Sequence, residues 1–156
     1  DPRQQDQLTL DCDDSWSEAL WNHHAILIYD NIVAIPAYGY TWSDGDSDGD
    51  SDGDEGREAE SDEAVESWGE YSYQAGLVVA EIDVEEGLTQ RGFVNHRPLV
   101  EDVYCDGESE GCDTSFVPQM RRSLVIEGHL FSISDLGVMV SKLSEPETAL
   151  TMVPLL

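Results

Sequence analysis

The run Ala25-Ile-Leu-Ile-Tyr-Asp-Asn-Ile-Val-Ala-Ile-Pro-Ala37 aligns without a gap on Ser123-Leu-Val-Ile-Glu-Gly-His-Leu-Phe-Ser-Ile-Ser-Asp135. A second run, Gly76-Leu-Val-Val-Ala-Glu-Ile-Asp-Val-Glu-Glu-Gly-Leu88, aligns in the same way on Gly137-Val-Met-Val-Ser-Lys-Leu-Ser-Glu-Pro-Glu-Thr-Ala149. Residue 25 corresponds to residue 123, an offset of 98, and residue 76 to residue 137, an offset of 61; the first copy therefore carries 37 extra residues between its halves. Two copies of one strand-rich unit, the first swollen by an insertion, decide the fold class.

Each copy reads as four short β-type runs. In the first, Ala25–Tyr29 and Ile32–Ala37 flank Asp30-Asn31, a two-residue hairpin turn, and Gly76–Val84 and Leu88–Asn95 flank Glu85-Glu-Gly87. In the second, Ser123–Ile126, Leu130–Ser134, Val138–Leu143 and Ala149–Val153 are separated by turns at Glu127-Gly128, Asp135-Leu-Gly137 and Glu145-Pro-Glu147. Leu8-Thr-Leu10 adds a short strand near the start, and no amphipathic helix of ordinary length is expected. The class is all-β and antiparallel. Four-stranded meanders repeated as units are what a β-propeller needs, since each sheet buries its faces only against neighbouring sheets. Two such blades do not close a ring, so the chain reads as a propeller fragment. Its parts are an acidic lead-in at 1–20, a blade at 21–97 with an insertion at 38–75, a connecting loop at 98–120 and a final blade at 121–156. Leu8–Leu10 would be the outer strand of a preceding blade.

The net charge of −27 arises from 34 Asp and Glu against seven Lys and Arg. Thirteen of the acids fall in 44–70, six in 1–18 and six in 101–113, so the charge belongs to three loops rather than to the body. Such a chain repels nucleic acid and anionic membrane and attracts cations or basic partners. No stretch approaches the roughly 20 apolar residues of a membrane helix. The chain opens on Asp1-Pro2 rather than Met, which reads as a processed product.

The strongest local motif is Asp44-Gly-Asp46-Ser-Asp48-Gly49-Asp50-Ser-Asp52-Gly-Asp54-Glu55. Asp44, Asp46 and Asp48 fall at ligand positions one, three and five of a twelve-residue calcium loop, with Gly49 at the turn. Asp50 offers its carbonyl at seven, Asp52 sits at nine, and Glu55 is the bidentate ligand at twelve. A hard cation wants six to eight oxygens, and alternate carboxylates on a tight loop converge on one. No entering helix precedes the loop. The competing reading is a solvated Ser-Asp-Gly linker. Calcium is the cofactor expected.

Cys105 and Cys112 bracket a six-residue polar loop that a disulfide would close, in keeping with an oxidising compartment; two unpaired thiols are the alternative, and Cys12 is the odd cysteine. Acids at 101, 102, 106, 108, 110 and 113 surround that loop without a legible ligand pattern. On a strand, His23 and His24 would point to opposite faces, so they are expected to be structural rather than chelating. No G-x-S-x-G elbow or phosphate loop is present. Arg121-Arg122 are expected to begin a strand and pair with local acids. Trp42, Trp68 and Tyr71 stand at the two ends of the insertion, with Tyr38, Tyr40 and Tyr73 beside them and Trp16 and Trp21 upstream. These aromatic ends either pin the base of the loop or stack on a protein or glycan partner.

Asn22-His23-His24-Ala25, Gly76-Leu-Val-Val-Ala-Glu-Ile-Asp83 and Arg121-Arg-Ser-Leu-Val-Ile-Glu-Gly-His-Leu-Phe-Ser-Ile-Ser-Asp135 together resemble the last blades of bacterial secreted proteins with a C-terminal β-propeller domain. The resemblance spans about residues 20–37, 75–97 and 118–156, and implies a propeller fold and an exported location without supplying catalytic residues. The Ser-Asp-Gly insertion departs from that pattern. The resulting expectation is a non-enzymatic, exported binding module with a calcium-taking loop, whose partners are the remaining blades and a protein or glycan. Two alternatives stand beside it: part of a hydrolase-type propeller with its catalytic groups on other blades, and a metal-free scaffold.

Overall fold

The computed structural model describes residues 6–10, 12–43, 70–105 and 116–155. Two antiparallel sheets carry the fold. In the first, β2 (Leu27–Tyr29), β3 (Ile32–Ser43), β4 (Glu70–Asp83) and β5 (Gly87–Asn95) form a meander, and β1 (Asp14–Trp16) pairs with the far half of β3. The second is the meander β6 (Met120–Ile126), β7 (His129–Ser134), β8 (Gly137–Lys142) and β9 (Glu145–Pro154). One apolar core joins them: Ile32, Ala34, Leu77, Val79 and Val94 of the first sheet meet Met120, Leu130 and Met139 of the second. At roughly 25 cal/mol per Å² of apolar area, this shared burial is what holds each meander flat against its neighbour.

The turn chemistry follows the sequence. Asp30 (φ 54°) makes the first hairpin, and Glu127 (φ 49°) with Gly128 (φ 76°) makes its counterpart. Tyr29 pairs with Ile32 and Ile126 with His129, so the structural offset of this block is 97 rather than 98. The slip has a physical cause: both faces of the first sheet are covered, so both alternations along β3 are apolar and neither sets the register. The second block keeps its offset of 61, because Gly76 and Gly137 occupy one role. A Cβ at Gly137 would stand 2.6 Å from the Val153 carbonyl oxygen, and one at Gly76 would collide with that of Val94.

Four expectations are corrected. Leu8–Leu10 is outside any ladder; Leu8 and Leu10 line one open cavity with Ile35, Ala37 and Val78. The extra strand is β1 instead. The connecting segment begins with a helix, α1 (Arg97–Tyr104), which Pro98 helps to start and whose Leu99 and Val100 are buried. The third turn of the second copy is at Leu143-Ser144, so β9 already runs at Glu145. Pro146 is tolerated there because β9 is an edge strand, with register shifts on β8 absorbing the irregularity. Finally, the insertion begins and ends in paired strand: residues 38–43 and 70–75 continue β3 and β4.

The two sheets stack in the same sense. With the corrected offsets, Leu77, Val79 and Val94, buried beneath the second sheet, correspond to Val138, Val140 and Val153. On the second sheet this face carries the cross-strand rows Leu124–Phe131–Val140 and Ile133–Val138–Val153, which are only partly buried among the described residues, with Val153 50% exposed.

Candidate functional site

Beyond the meander, β3 and β4 form a two-stranded ribbon with the register Tyr38↔Ala75, Tyr40↔Tyr73, Trp42↔Tyr71 and Ser43↔Glu70. β1 lies along its base, with Trp16 opposite Tyr38 and Asp14 opposite Tyr40. Because alternate residues share a face, these pairings gather Trp16, Tyr38, Tyr40 and Tyr73 onto one side of the ribbon. The Trp16 ring stacks on Tyr38 at 3.9 Å between centroids and on Trp21 at 5.8 Å, and Tyr40 meets Tyr73 at 6.2 Å and a 49° tilt.

Tyr38 anchors this face. Its ring is buried, and its hydroxyl accepts a hydrogen bond from the Met120 amide, linking the ribbon to the second sheet. Burial pushes its pKa up to about 12, with the Met120 bond working the other way, so the phenol is neutral at physiological pH. Beside it an open cavity of about 170 Å³ is bounded by Asp14, Trp16, Tyr38, Tyr40, Tyr73 and Val117.

Two of the three expected partner-binding residues fall on this ribbon. Trp42 and Tyr71 are register partners near its tip, while Trp68 lies outside the described residues. The calcium positions Asp44, Asp46, Asp48, Asp50, Asp52 and Glu55 lie outside them too, and so does Cys112; Cys105 caps the end of α1. Cys12 is free and half-buried. No group of three or more His, Cys, Asp or Glu converges as a metal site among the described residues. His23 and His24 differ from expectation. They sit in a 3₁₀ turn capped by Asn22 rather than on a strand, and their rings meet at 4.1 Å. Arg121 does stand at a strand start, 3.8 Å from Asp135.

One constellation had no signal in the sequence. His96, fully buried between α1 and the second sheet, brings Nε2 to 2.6 Å from Ser132 Oγ. Ser123 and Ser141 are buried on the same sheet, and their hydroxyls, like His96 Nδ1, lack a partner among the described residues. Burial pulls the imidazole pKa down to about 4, so the ring is neutral. A serine beside a histidine is the geometry of an activated nucleophile. Here both side chains are 0% exposed and, among the described residues, no acceptor orients Nδ1; the pair ties α1 to the second sheet.

The family model described as a beta propeller domain matches residues 1–146. The chain belongs to that family. No curated protein and no solved structure matches it. No helix among the described residues is long and apolar enough to cross a membrane.

Proposed function

We propose that this propeller fragment is a non-enzymatic, exported binding module whose acidic tract takes up calcium and whose aromatic ribbon meets a protein or glycan partner. The observation that carries the reading is the register Ser43↔Glu70: the tract leaves and returns at adjacent positions of one ribbon, so ordering it acts directly on the aromatic face at its base. Six aspartates between 44 and 54 repel one another, and a bound cation offsets that repulsion. Without paired flanking helices the affinity falls in the weak extracellular range, roughly 10⁻⁴–10⁻³ M. Calorimetric titration with calcium is expected to give saturable heat in that range. Replacing Asp44, Asp48 and Glu55 together by Ala should abolish it, and equal heats from the two proteins would reject the calcium assignment.

An exported location accords with a disulfide between Cys105 and Cys112. Alkylation of the denatured, unreduced protein is then expected to label Cys12 alone. Labelling of all three cysteines by mass spectrometry would remove this support. The partly buried rows Leu124–Phe131–Val140 and Ile133–Val138–Val153 suit the remaining blades of the propeller, because the corresponding rows of the first sheet are already covered by a sheet of this kind. The absence of enzymatic chemistry is favoured by the closure of the His96–Ser132 pair from solvent.

A further inference from the structure

The contact between the two sheets is a template for one between chains. Leu77, Val79 and Val94 of the first sheet lie under Leu130 and Met139 of the second. The second sheet repeats the covered side of that contact on its outer face, in the rows Leu124–Phe131–Val140 and Ile133–Val138–Val153, where every side chain is partly or largely exposed among the described residues. The first sheet repeats the covering side on its own outer face, where Ile35 and Val78 are register partners and hold the places of Ser132 and Met139. That face is closed at its centre, where Ala37 and Val78 are buried, and open at its margin, with Ile28 72% and Ile82 45% exposed. The first sheet thus presents what the second is built to receive.

Charge divides the two faces in the same sense. Arg122 and Lys142 stand on the outer face of the second sheet by register, and both are exposed. Lys142 has Glu145 at 3.8 Å, whereas Arg122 has no ion pair among the described residues. The outer face of the first sheet has no lysine or arginine at a register position, and Asp6, Asp83, Glu85 and Glu86 gather beside Ile82 at its margin. A cationic face and an acidic one on the same chain favour a copy of that chain as partner. Chains of net charge −27 also repel one another, but at roughly 0.15 M salt that repulsion is screened beyond about 8 Å, and the contact is left to the apolar rows. We infer that a second copy of this chain seats the outer face of its first sheet on the outer face of this second sheet, head to tail. Such an interface is heterologous and repeats until a ring closes. With two sheets in each copy, about two to four copies supply the roughly four to eight blades of a closed propeller. This names the source of the covering sheet, and it rests on the reading above that a sheet of this kind covers these rows.

The test is sedimentation velocity of the whole chain from about 1 to 100 µM at roughly 0.15 M salt. A closed oligomer whose population grows with concentration is expected. Ile126→Asp with Val153→Asp spoils the outer face of the second sheet, where both side chains are half exposed, and Ile28→Asp with Ile82→Asp spoils that of the first. Each double variant should be monomeric alone. An equimolar mixture of the two should give a one-to-one dimer, because each supplies the face that the other lacks. Arg122→Glu should weaken association roughly twofold to fivefold. Head-to-tail assembly is overturned by self-association of either double variant alone, or by an unchanged affinity in Arg122→Glu. A mixture that stays monomeric while both variants keep the parent's circular dichroism overturns it equally. A parent that stays monomeric overturns it too, and Nile red then separates the two readings. Dye binding that the Ile126→Asp, Val153→Asp protein loses would leave these rows to a blade from another source, while equal binding by parent and variant would take the covering-sheet reading down as well.

Discussion

Tyr38→Ala is expected to remove about 3–5 kcal/mol of stability, the range for truncating a large buried ring. That is a large part of the 5–15 kcal/mol that holds an ordinary domain together. Three losses coincide at this position. The ring is 2% exposed and belongs to the core shared by both sheets, so its removal leaves a cavity. Trp16 loses the surface on which it stacks at 3.9 Å, which frees β1 from its side-chain anchor on β3. The Met120 amide loses its acceptor at the first residue of β6. Tyr38→Phe isolates the last of these: it keeps the ring and orphans the amide, at a cost of about 1–3 kcal/mol. Urea denaturation should show both variants with lower midpoints and an unchanged slope. A Tyr38→Phe protein as stable as its parent would mean that the hydroxyl does not join the sheets. The phenol adds a pH signature of its own. Its folded pKa lies above the unfolded value near 10, so its contribution is complete below pH 10 and is lost as pH rises through 12.

How much of this was legible depended on whether the information was local. The second meander reads directly, because Leu130, Ser132 and Ser134 alternate inward with Phe131 and Ile133 outward, and Glu127-Gly128 marks the hairpin. The first meander resisted by one residue, since β3 is apolar on both faces where Val33 and Ile35 alternate with Ala34 and Pro36. α1 escaped because eight residues with two buried side chains make no amphipathic pattern longer than a chance run. β1 escaped for a different reason. Asp14-Ser-Trp16 is exposed throughout and is a strand only because the far half of β3 offers it a ladder. The aromatic ends of the insertion were readable as a pair that could close a loop, and Trp42 and Tyr71 are indeed register partners. That Asp14 and Trp16 join the base of the same ribbon depends on a pairing across more than twenty residues that composition does not report.

Acidification should expose the other long-range link. His96 and Ser132 are 36 residues apart in sequence, and no local pattern connects them. With its folded pKa lowered to about 4 by burial, His96 stays neutral where an unfolded histidine, near 6.5, has taken up a proton. The unfolded state then binds more protons, so stability rises with pH across this window. The contribution is fully present above about pH 6.5, declines as pH falls, and is lost by about pH 4. The difference of the two values corresponds to about 3 kcal/mol. An opposing trend comes from the acidic loops: protonating carboxylates relieves self-repulsion in a chain of charge −27. Only a comparison separates the two effects. His96→Gln removes the titration and retains an amide within reach of Ser132, so the stability difference between parent and variant should narrow by about 3 kcal/mol, in the parent's disfavour, between pH 7 and pH 4. The carboxylates cancel in that difference, since the variant carries all of them. The lowered pKa values of Asp6 and Asp83, which accept backbone hydrogen bonds, act mainly below their ordinary value of 3.8 and leave the window clear. A difference that stays constant from pH 7 to pH 4 would mean that the imidazole is already solvated in the folded protein, and that α1 is not locked to the second sheet by a neutral, buried ring.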